Sequence, residues 1–154
     1  MKIIISIRPK WVAKILKGEK TLEIRKTAPK CDLPIDVYIY CTKGDYIGHL
    51  SNKYVGKIVA KFTLNKVERI EGAYDELCQE FEISDIHRLS RESCVDEGDL
   101  IDYLSKGKYN NNSNDTYGYA WHISNLEIFD KPKTLADYGL KRAPQSWCYA
   151  KEGD

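Results

Sequence analysis

Nine consecutive residues, Gly18-Glu19-Lys20-Thr21-Leu22-Glu23-Ile24-Arg25-Lys26, constrain the fold of this chain more than any other stretch. A glycine suited to stopping a helix is followed at once by a short alternating strand. Between Thr21 and Arg25, Leu22 and Ile24 point to one side, and Thr21, Glu23 and Arg25 to the other. The apolar side requires a core. The opposite side sets a hydroxyl, a carboxylate and a guanidinium in a row, with Lys20 and Lys26 at its ends. Such a strand either lines a polar site or forms a solvated sheet edge, and these nine residues leave both readings open.

The flanking sequence supplies the core. Ile3 to Ile7 is a β-branched run that reads as a strand buried on both faces. Pro9 suits the first turn of a helix running to about Lys17, and Gly18 ends it. Trp11, Val12, Ile15 and Leu16 fall at helical spacing and predict its buried stripe; Lys10, Lys14 and Lys17 predict an exposed basic one. Ile35 to Thr42 alternates as a strand, with Val37, Ile39 and Cys41 on one face and Tyr38, Tyr40 and Thr42 on the other. Lys43 to Lys53 reads as a loop. Tyr54 to Val67 reads as one long strand, bent because it exceeds the usual length. Ala73 to Phe81 is predicted as a short acidic helix, Ser84 to Glu97 as mostly loop with a helical turn, and Asp99 to Lys106 as a helix. Asn110 to Asp115 is a polar low-complexity loop. Tyr117 to Phe129 is a strand, with a break around Ser124-Asn125 as the alternative. Leu135 to Tyr138 is a helical turn, and Trp147 to Ala150 a final strand. About six strands and two to four helices make an α+β chain. At 154 residues, one domain spanning 1–154 is expected, with an acidic helical insert at about 71–114.

Charge and cysteine usage narrow the classes. The net charge of +1 conceals an asymmetry: Met1 to Lys30 holds nine bases and two acids, whereas Glu68 to Asp102 holds twelve acids and three bases. The first thirty residues are a candidate footprint for a polyanion. The acidic segment either neutralises them across the fold or covers the same surface as a lid. Cys31, Cys41, Cys78, Cys94 and Cys148 are odd in number and lack C-x-x-C spacing, which argues against a disulfide framework or zinc knuckle and for the cytoplasm. His49, His87 and His122 form no ligand motif. The carboxylates at Asp75/Glu76 and Asp96/Glu97/Asp99 are spaced like solvated helix faces, so no metal or other cofactor is expected. No apolar run reaches membrane-spanning length, and Met1 to Ile7 reads as a first strand rather than a signal sequence. Lys43-Gly44-Asp45 is too short for a phosphate-cradling glycine loop.

Four motifs together carry a resemblance: Ser6-Ile7-Arg8-Pro9-Lys10-Trp11, the Gly18–Arg25 run, Ala120-Trp121-His122-Ile123, and Arg142-Ala143-Pro144-Gln145-Ser146-Trp147-Cys148-Tyr149. In these the chain resembles the ASCH family of the PUA-like superfamily, and the small bacterial and phage ASCH proteins most. The resemblance spans roughly two-thirds of the length and is weakest between Glu71 and Asn114. It implies a PUA-like β-barrel of mixed strands with flanking helices. It also implies a cleft beside the Thr21–Arg25 strand, with the Arg142–Trp147 loop opposite.

From these residues, the leading expectation is a nucleic-acid-binding module for RNA or a modified nucleotide. Lys20, Arg25 and Arg142 would hold phosphate, and Lys26 and Ser146 are further nucleic-acid-binding candidates. Glu23 would read a base edge or orient an arginine, and Trp147 or Tyr40 would stack a base. Tyr38, Tyr46, Tyr119, Trp121 and Tyr149 are further aromatics on converging strands; Trp11 and Trp121 are expected in the core. The bland alternative pairs Glu23 with Arg25 or Arg142 in a structural salt bridge. The rival function is a hydrolase acting on RNA or a modified nucleoside, with Lys20 and Glu23 exchanging a proton. Some ASCH proteins are amidohydrolases of acetylated cytidine that use a lysine, a threonine three residues later and a distant glutamate. Lys20 matches that lysine, but Glu23 stands where the threonine would be, and Thr21 would need a shifted geometry. A third reading is a protein-interaction or regulatory domain acting through the acidic segment. The oligomeric state is not legible.

Overall fold

Ile3, Ile4 and Ile5 expose none of their surface (0%), as a strand with neighbours on both edges and cover on both faces requires. A computed structural model describes residues 1–44, 48, 50–108 and 115–151. Among these the chain forms nine strands, three α-helices and two short 3₁₀ turns, and it divides into two compact units.

The first unit comprises Met1–Glu19, Asp32–Asn65 and Ile123–Asp154. Its sheet uses β1 (Lys2–Ile7), β3 (Ile35–Cys41), β4 (Ile58–Leu64), β8 (Ser124–Lys133) and β9 (Trp147–Ala150). The order is β8-β4-β3-β1-β9; β1 runs parallel to β3, and the remaining pairs are antiparallel. Helix α1 (Pro9–Leu16) begins with proline in its first turn and buries Pro9, Val12, Ala13 and Ile15. Trp11 and Leu16, expected inside, are only half-buried. Trp11 lies at the margin of the stripe, with Lys10 Nζ 4.7 Å from its ring centre. Gly18 (φ 79) closes the helix. Its N–H reaches Ile15 O, and the Glu19 N–H reaches Lys14 O, both at 3.0 Å, the paired bonds of a Schellman cap.

The second unit comprises Lys20–Cys31 and Lys66–His122. Strands β2 (Leu22–Arg25), β7 (Asp115–His122), β5 (Val67–Asp75) and β6 (Glu80–Ile83) form a sheet in that order. Each pair is antiparallel. Helices α2 (Ile86–Ser93) and α3 (Glu97–Ser105) pack on it. Leu22 and Ile24 meet Ile70, Ile83, Tyr117, Ala120 and the helix residues Leu89, Leu100 and Leu104 in one core.

Several boundaries differ from expectation, each for a local reason. Of the predicted strand at Tyr54–Val67, Ile58–Leu64 forms β4; Tyr54 closes a 3₁₀ turn, and after the polar Asn65-Lys66 pair Val67 opens the separate strand β5. The Tyr117–Phe129 run likewise parts at Ile123 into β7 and β8, with Asn125 at φ 51. The predicted acidic helix at Ala73–Phe81 is a hairpin. Asp75 Oδ1 accepts from Leu77 N and Cys78 N at 2.9 and 3.3 Å, and Gln79 turns at φ 56. Tyr74 then pairs with Phe81 across the strands, ring centres 4.9 Å apart. Within the predicted loop Ser84–Glu97 lies helix α2, bounded by left-handed Asp85 and Cys94. One divided strand, now β7 and β8, and the added β5 and β6 raise the expected six strands to nine. Of the predicted loop Asn110–Asp115, residues 110–114 lie outside the described residues, as do Tyr46 and His49, and Asp115 begins β7. Among the described residues no helix is long and apolar enough to cross a membrane.

Candidate functional site on strand β2

The face of β2 opposite its apolar residues is not solvated. Lys20 is 3% exposed and Glu23 7%, whereas Thr21 is exposed. Two carbonyls at the end of α2 explain the placement of Lys20. The last carbonyls of a helix have no partner within it. The Thr21 N–H donates to Glu92 O at 2.9 Å, and Lys20 Nζ donates to Ser93 O at 2.7 Å. An ammonium there also suits the negative end of the helix macrodipole. Lys26, at the other end of β2, repeats the device on α3: Nζ donates to Leu104 O at 3.0 Å and lies 5.0 Å from the Tyr103 ring centre. The two lysines flanking the strand therefore each cap a helix.

Glu23 sits between two cations. Arg25 Nε donates to Glu23 Oε1 at 3.1 Å, and Lys20 Nζ lies 3.6 Å from Glu23 Oε2. That oxygen is buried and has no hydrogen-bond partner among the described residues. The Lys20 ammonium is therefore its ionic partner, at a distance longer than a good hydrogen bond. Burial pushes the Lys20 ammonium below its usual range; attraction to Glu23 opposes that shift without cancelling it. Burial also lowers Lys26, and Lys108 and Lys106 add repulsion.

Close approach of the backbone helps to form this arrangement. A Cβ at Gly118 would stand 2.7 Å from Leu104 Cδ2 and 3.0 Å from Arg25 O. Only glycine lets β7 lie this close to both β2 and α3.

A second polar network in the same unit escapes sequence reasoning. His122 Nε2 and Glu68 Oε2 are 2.8 Å apart. Both terminal nitrogens of Arg88 donate to Glu68 at 3.2 Å, and Arg88 also donates to Asp85 at 2.7 Å and Glu92 at 2.9 Å. Burial alone would raise the Glu68 carboxyl, but hydrogen bonds from His122 and Arg88 outweigh it and hold the group below its usual range. Three elements contribute, so no local spacing announces the cluster. The helical i, i+3 and i, i+4 spacing of Asp85, Arg88 and Glu92 is the one signal in the sequence.

The remaining candidates lie in the first unit. Arg142 and Ser146 are exposed and Trp147 is half-buried. Trp147 meets Tyr149 edge to face, ring centres 5.4 Å apart. Ser6 ties this loop to β1: its N–H donates to Ser146 O at 2.9 Å and its hydroxyl to Pro144 O at 2.6 Å. Arg142 also lines a recess with Gly139, Lys141 and Gln145. Tyr40 is 5% exposed and packs with Ile4, Ile58 and Ala150, so its ring serves a core. Trp121, expected in the core, is fully buried, and its Nε1–H donates to Thr27 O at 3.2 Å. Among the described residues no group of three or more His, Cys, Asp or Glu is placed to hold a metal.

Comparison with known proteins adds a family and a fold. The model of the ASCH domain matches residues 5–133. That span takes in the acidic stretch and stops short of Arg142–Tyr149. Three solved structures of an ASCH protein from Zymomonas mobilis are similar. The unmodified protein gives a TM-score of 0.60 at 18% identity, covering 98% of this chain and 88% of that one. A tyrosine-to-phenylalanine mutant gives 0.64 at 18%, covering 98% and 91%. A serine-to-alanine mutant gives 0.65 at 18%, covering 98% and 89%. No curated protein matches the sequence significantly.

Proposed function

Because this chain belongs to the ASCH domain family, a PUA-like fold often linked to RNA binding, we propose that it is a nucleic-acid-binding module that recognises a base of RNA or a modified nucleotide at Glu23. The observation that supports the reading is Glu23 Oε2, which faces the Lys20 ammonium at 3.6 Å and has no donor within hydrogen-bond distance among the described residues. An exocyclic amino group of a base supplies such a donor. Arg25 fixes the other carboxylate oxygen, and Lys20 supports the negative charge while anchored to α2. Lys20 and Lys26 are thus positioning residues in this reading, not phosphate contacts. Exposed Arg142 and half-buried Trp147 offer separate phosphate and stacking contacts on the first unit.

The test compares nucleotide binding by wild type and Glu23→Gln. Nucleotides whose base carries an amino group (AMP, CMP) should bind wild type more tightly than UMP, whose base has none. One charge-assisted hydrogen bond corresponds to roughly 10- to 100-fold in affinity, and Glu23→Gln should lose that preference while keeping its circular dichroism. Equal binding of all three by wild type, or an unchanged preference in the variant, refutes the reading.

A second reading has its own observation in favour: a lysine with a depressed pKa beside a carboxylate suits proton transfer. Incubation with RNA and with acetylated cytidine, with and without divalent metal, separates the two. Turnover that disappears in Lys20→Ala would replace the binding-only account with a hydrolase.

A further inference from the structure

Three aromatic rings and three lysines converge on one sheet surface of the first unit. Tyr38 of β3 stands 4.9 Å from Tyr138, which lies in the 3₁₀ turn Ala136–Tyr138, and 6.2 Å from Phe129 of β8. All three rings are half-buried and pack on the cluster of Ile4, Tyr40, Ile58 and Ala150. Lys2 Nζ lies 5.2 Å from the Tyr38 ring centre and 5.3 Å from that of Tyr138. Lys133 Nζ lies 5.1 Å from Phe129 and 6.0 Å from Tyr138, and Lys61 Nζ lies 6.0 Å from Tyr38.

Lysine stems commonly cover the apolar margin of a sheet, with their charge at the rim. Charge accounting separates this surface from that ordinary arrangement. Lys61 has a partner in Glu127 at 3.6 Å. Neither Lys2 nor Lys133 forms an ion pair with a described carboxylate. Asp36 opposes Lys2 in the β1–β3 register without pairing to it; Asp137 caps its own turn by accepting from Thr134 N at 2.8 Å, which with a smaller attraction from Lys133 holds its carboxyl below the usual range. The unit as a whole has fourteen bases and nine acids, a net +5, whereas the second unit nets −4. Ammonium groups over aromatic faces, two of them without a direct ion pair to a described carboxylate, on the cationic half of the chain, suit a ligand that is both planar and anionic.

We infer that the Tyr38–Phe129–Tyr138 surface, ringed by Lys2, Lys61 and Lys133, binds single-stranded nucleic acid, with an unpaired base against a ring and backbone phosphates against the ammonium groups. The inference rests on the reading of this chain as nucleic-acid-binding and adds a second site on a different unit from Glu23. A base that stacks displaces an ammonium from the ring face toward the adjoining phosphate, so both parts of the ligand are met by one set of side chains. Unpaired bases are required, because a duplex keeps its base faces stacked on one another.

The test is fluorescence anisotropy with a labelled single strand of about 12 nucleotides, between roughly 50 and 200 mM salt. Lys2→Gln/Lys133→Gln removes two phosphate contacts at exposed or half-exposed positions and keeps the stems. The logarithmic salt slope should fall by about 1.4, at about 0.7 per contact on a single strand. The same sequence as a duplex should bind at least about fivefold more weakly. A DNA strand should bind about as well as RNA, since stacking and phosphate contacts do not read the 2′-hydroxyl. Thiouridine-substituted strands should cross-link to peptides containing Tyr38, Phe129 or Tyr138. An unchanged slope, equal duplex binding, strict preference for RNA, or cross-links confined to other peptides would each overturn the inference. Glu23→Gln distinguishes the two sites. If strand binding is intact and mononucleotides show no base preference, the Glu23 reading fails alone. If that preference holds and the lysine variant leaves the slope unchanged, the surface fails alone.

Discussion

Replacing Lys20 by methionine tests whether its ammonium supports the second unit from within. Methionine keeps an unbranched apolar stem one heavy atom shorter and removes the charge and its donors. Two partners are then stranded in a buried setting: Ser93 O, now 2.7 Å from the ammonium, and Glu23 Oε2, 3.6 Å from it. Unit charges at that separation attract by roughly 5 kcal/mol at an effective dielectric of 20. Desolvation offsets much of this, and the lowered pKa of Lys20 shows that burial outweighs attraction to Glu23. The loss should therefore lie at the lower end of the range for breaking a buried pair, about 3 kcal/mol. Urea unfolding followed by the emission of fully buried Trp121 measures it, with an unchanged m-value as the control for two-state behaviour. Lys20→Met/Glu23→Gln removes both charges and should recover about 2 kcal/mol relative to the single variant. A loss below about 1 kcal/mol for Lys20→Met, or strict additivity in the double variant, would refute the claim that the two groups are coupled and buried together.

Two further outcomes follow from the same unit. Arg88→Ala removes two of the donors that, with His122, hold the Glu68 carboxyl below its usual value. A depressed carboxyl contributes stability above its unfolded pKa and loses it as pH falls through the folded value. Wild type should therefore lose stability below about pH 4.3, and Arg88→Ala should lose about 2 kcal/mol at neutral pH and show a flatter acid limb. A parallel acid limb in urea titrations would disprove the linkage. Gly118→Ala places a methyl 2.7 Å from Leu104 Cδ2 and 3.0 Å from Arg25 O. It should cost about 1–3 kcal/mol, or roughly 2–10 °C in melting temperature by calorimetry, and an unchanged melting temperature would show that the backbone yields freely there.

Much of the framework is legible locally. The β-branched run at Ile3–Ile7, the Pro9–Gly18 helix and the alternation of Leu22 and Ile24 can all be read from the sequence, because each depends on near neighbours. The acidic stretch misleads for the opposite reason. Between Ala73 and Phe81, charge density suggests a helix, but the decisive interaction is the cross-strand meeting of Tyr74 and Phe81 around an Asp75 turn. Trp11 has the spacing of a core residue yet lies at the margin, because a two-turn helix has too narrow a stripe to bury every apolar residue it carries.

The amino-acid order by itself fixed which side chains stand together on β2 and that Leu22 and Ile24 face a core, since a strand's period of two is a property of covalent geometry. It also set the charge excess of the first thirty residues. Only the tertiary structure decided what those charges do. Lys20 and Lys26 became helix caps because α2 and α3 present unpaired carbonyls to the ends of β2, and Glu23 became a buried acceptor because two cations hold it there. Likewise Tyr38, Phe129 and Tyr138 became one surface through strand register and a distant 3₁₀ turn. Electrostatic free energy depends on separation and burial, and neither is a function of position along the chain.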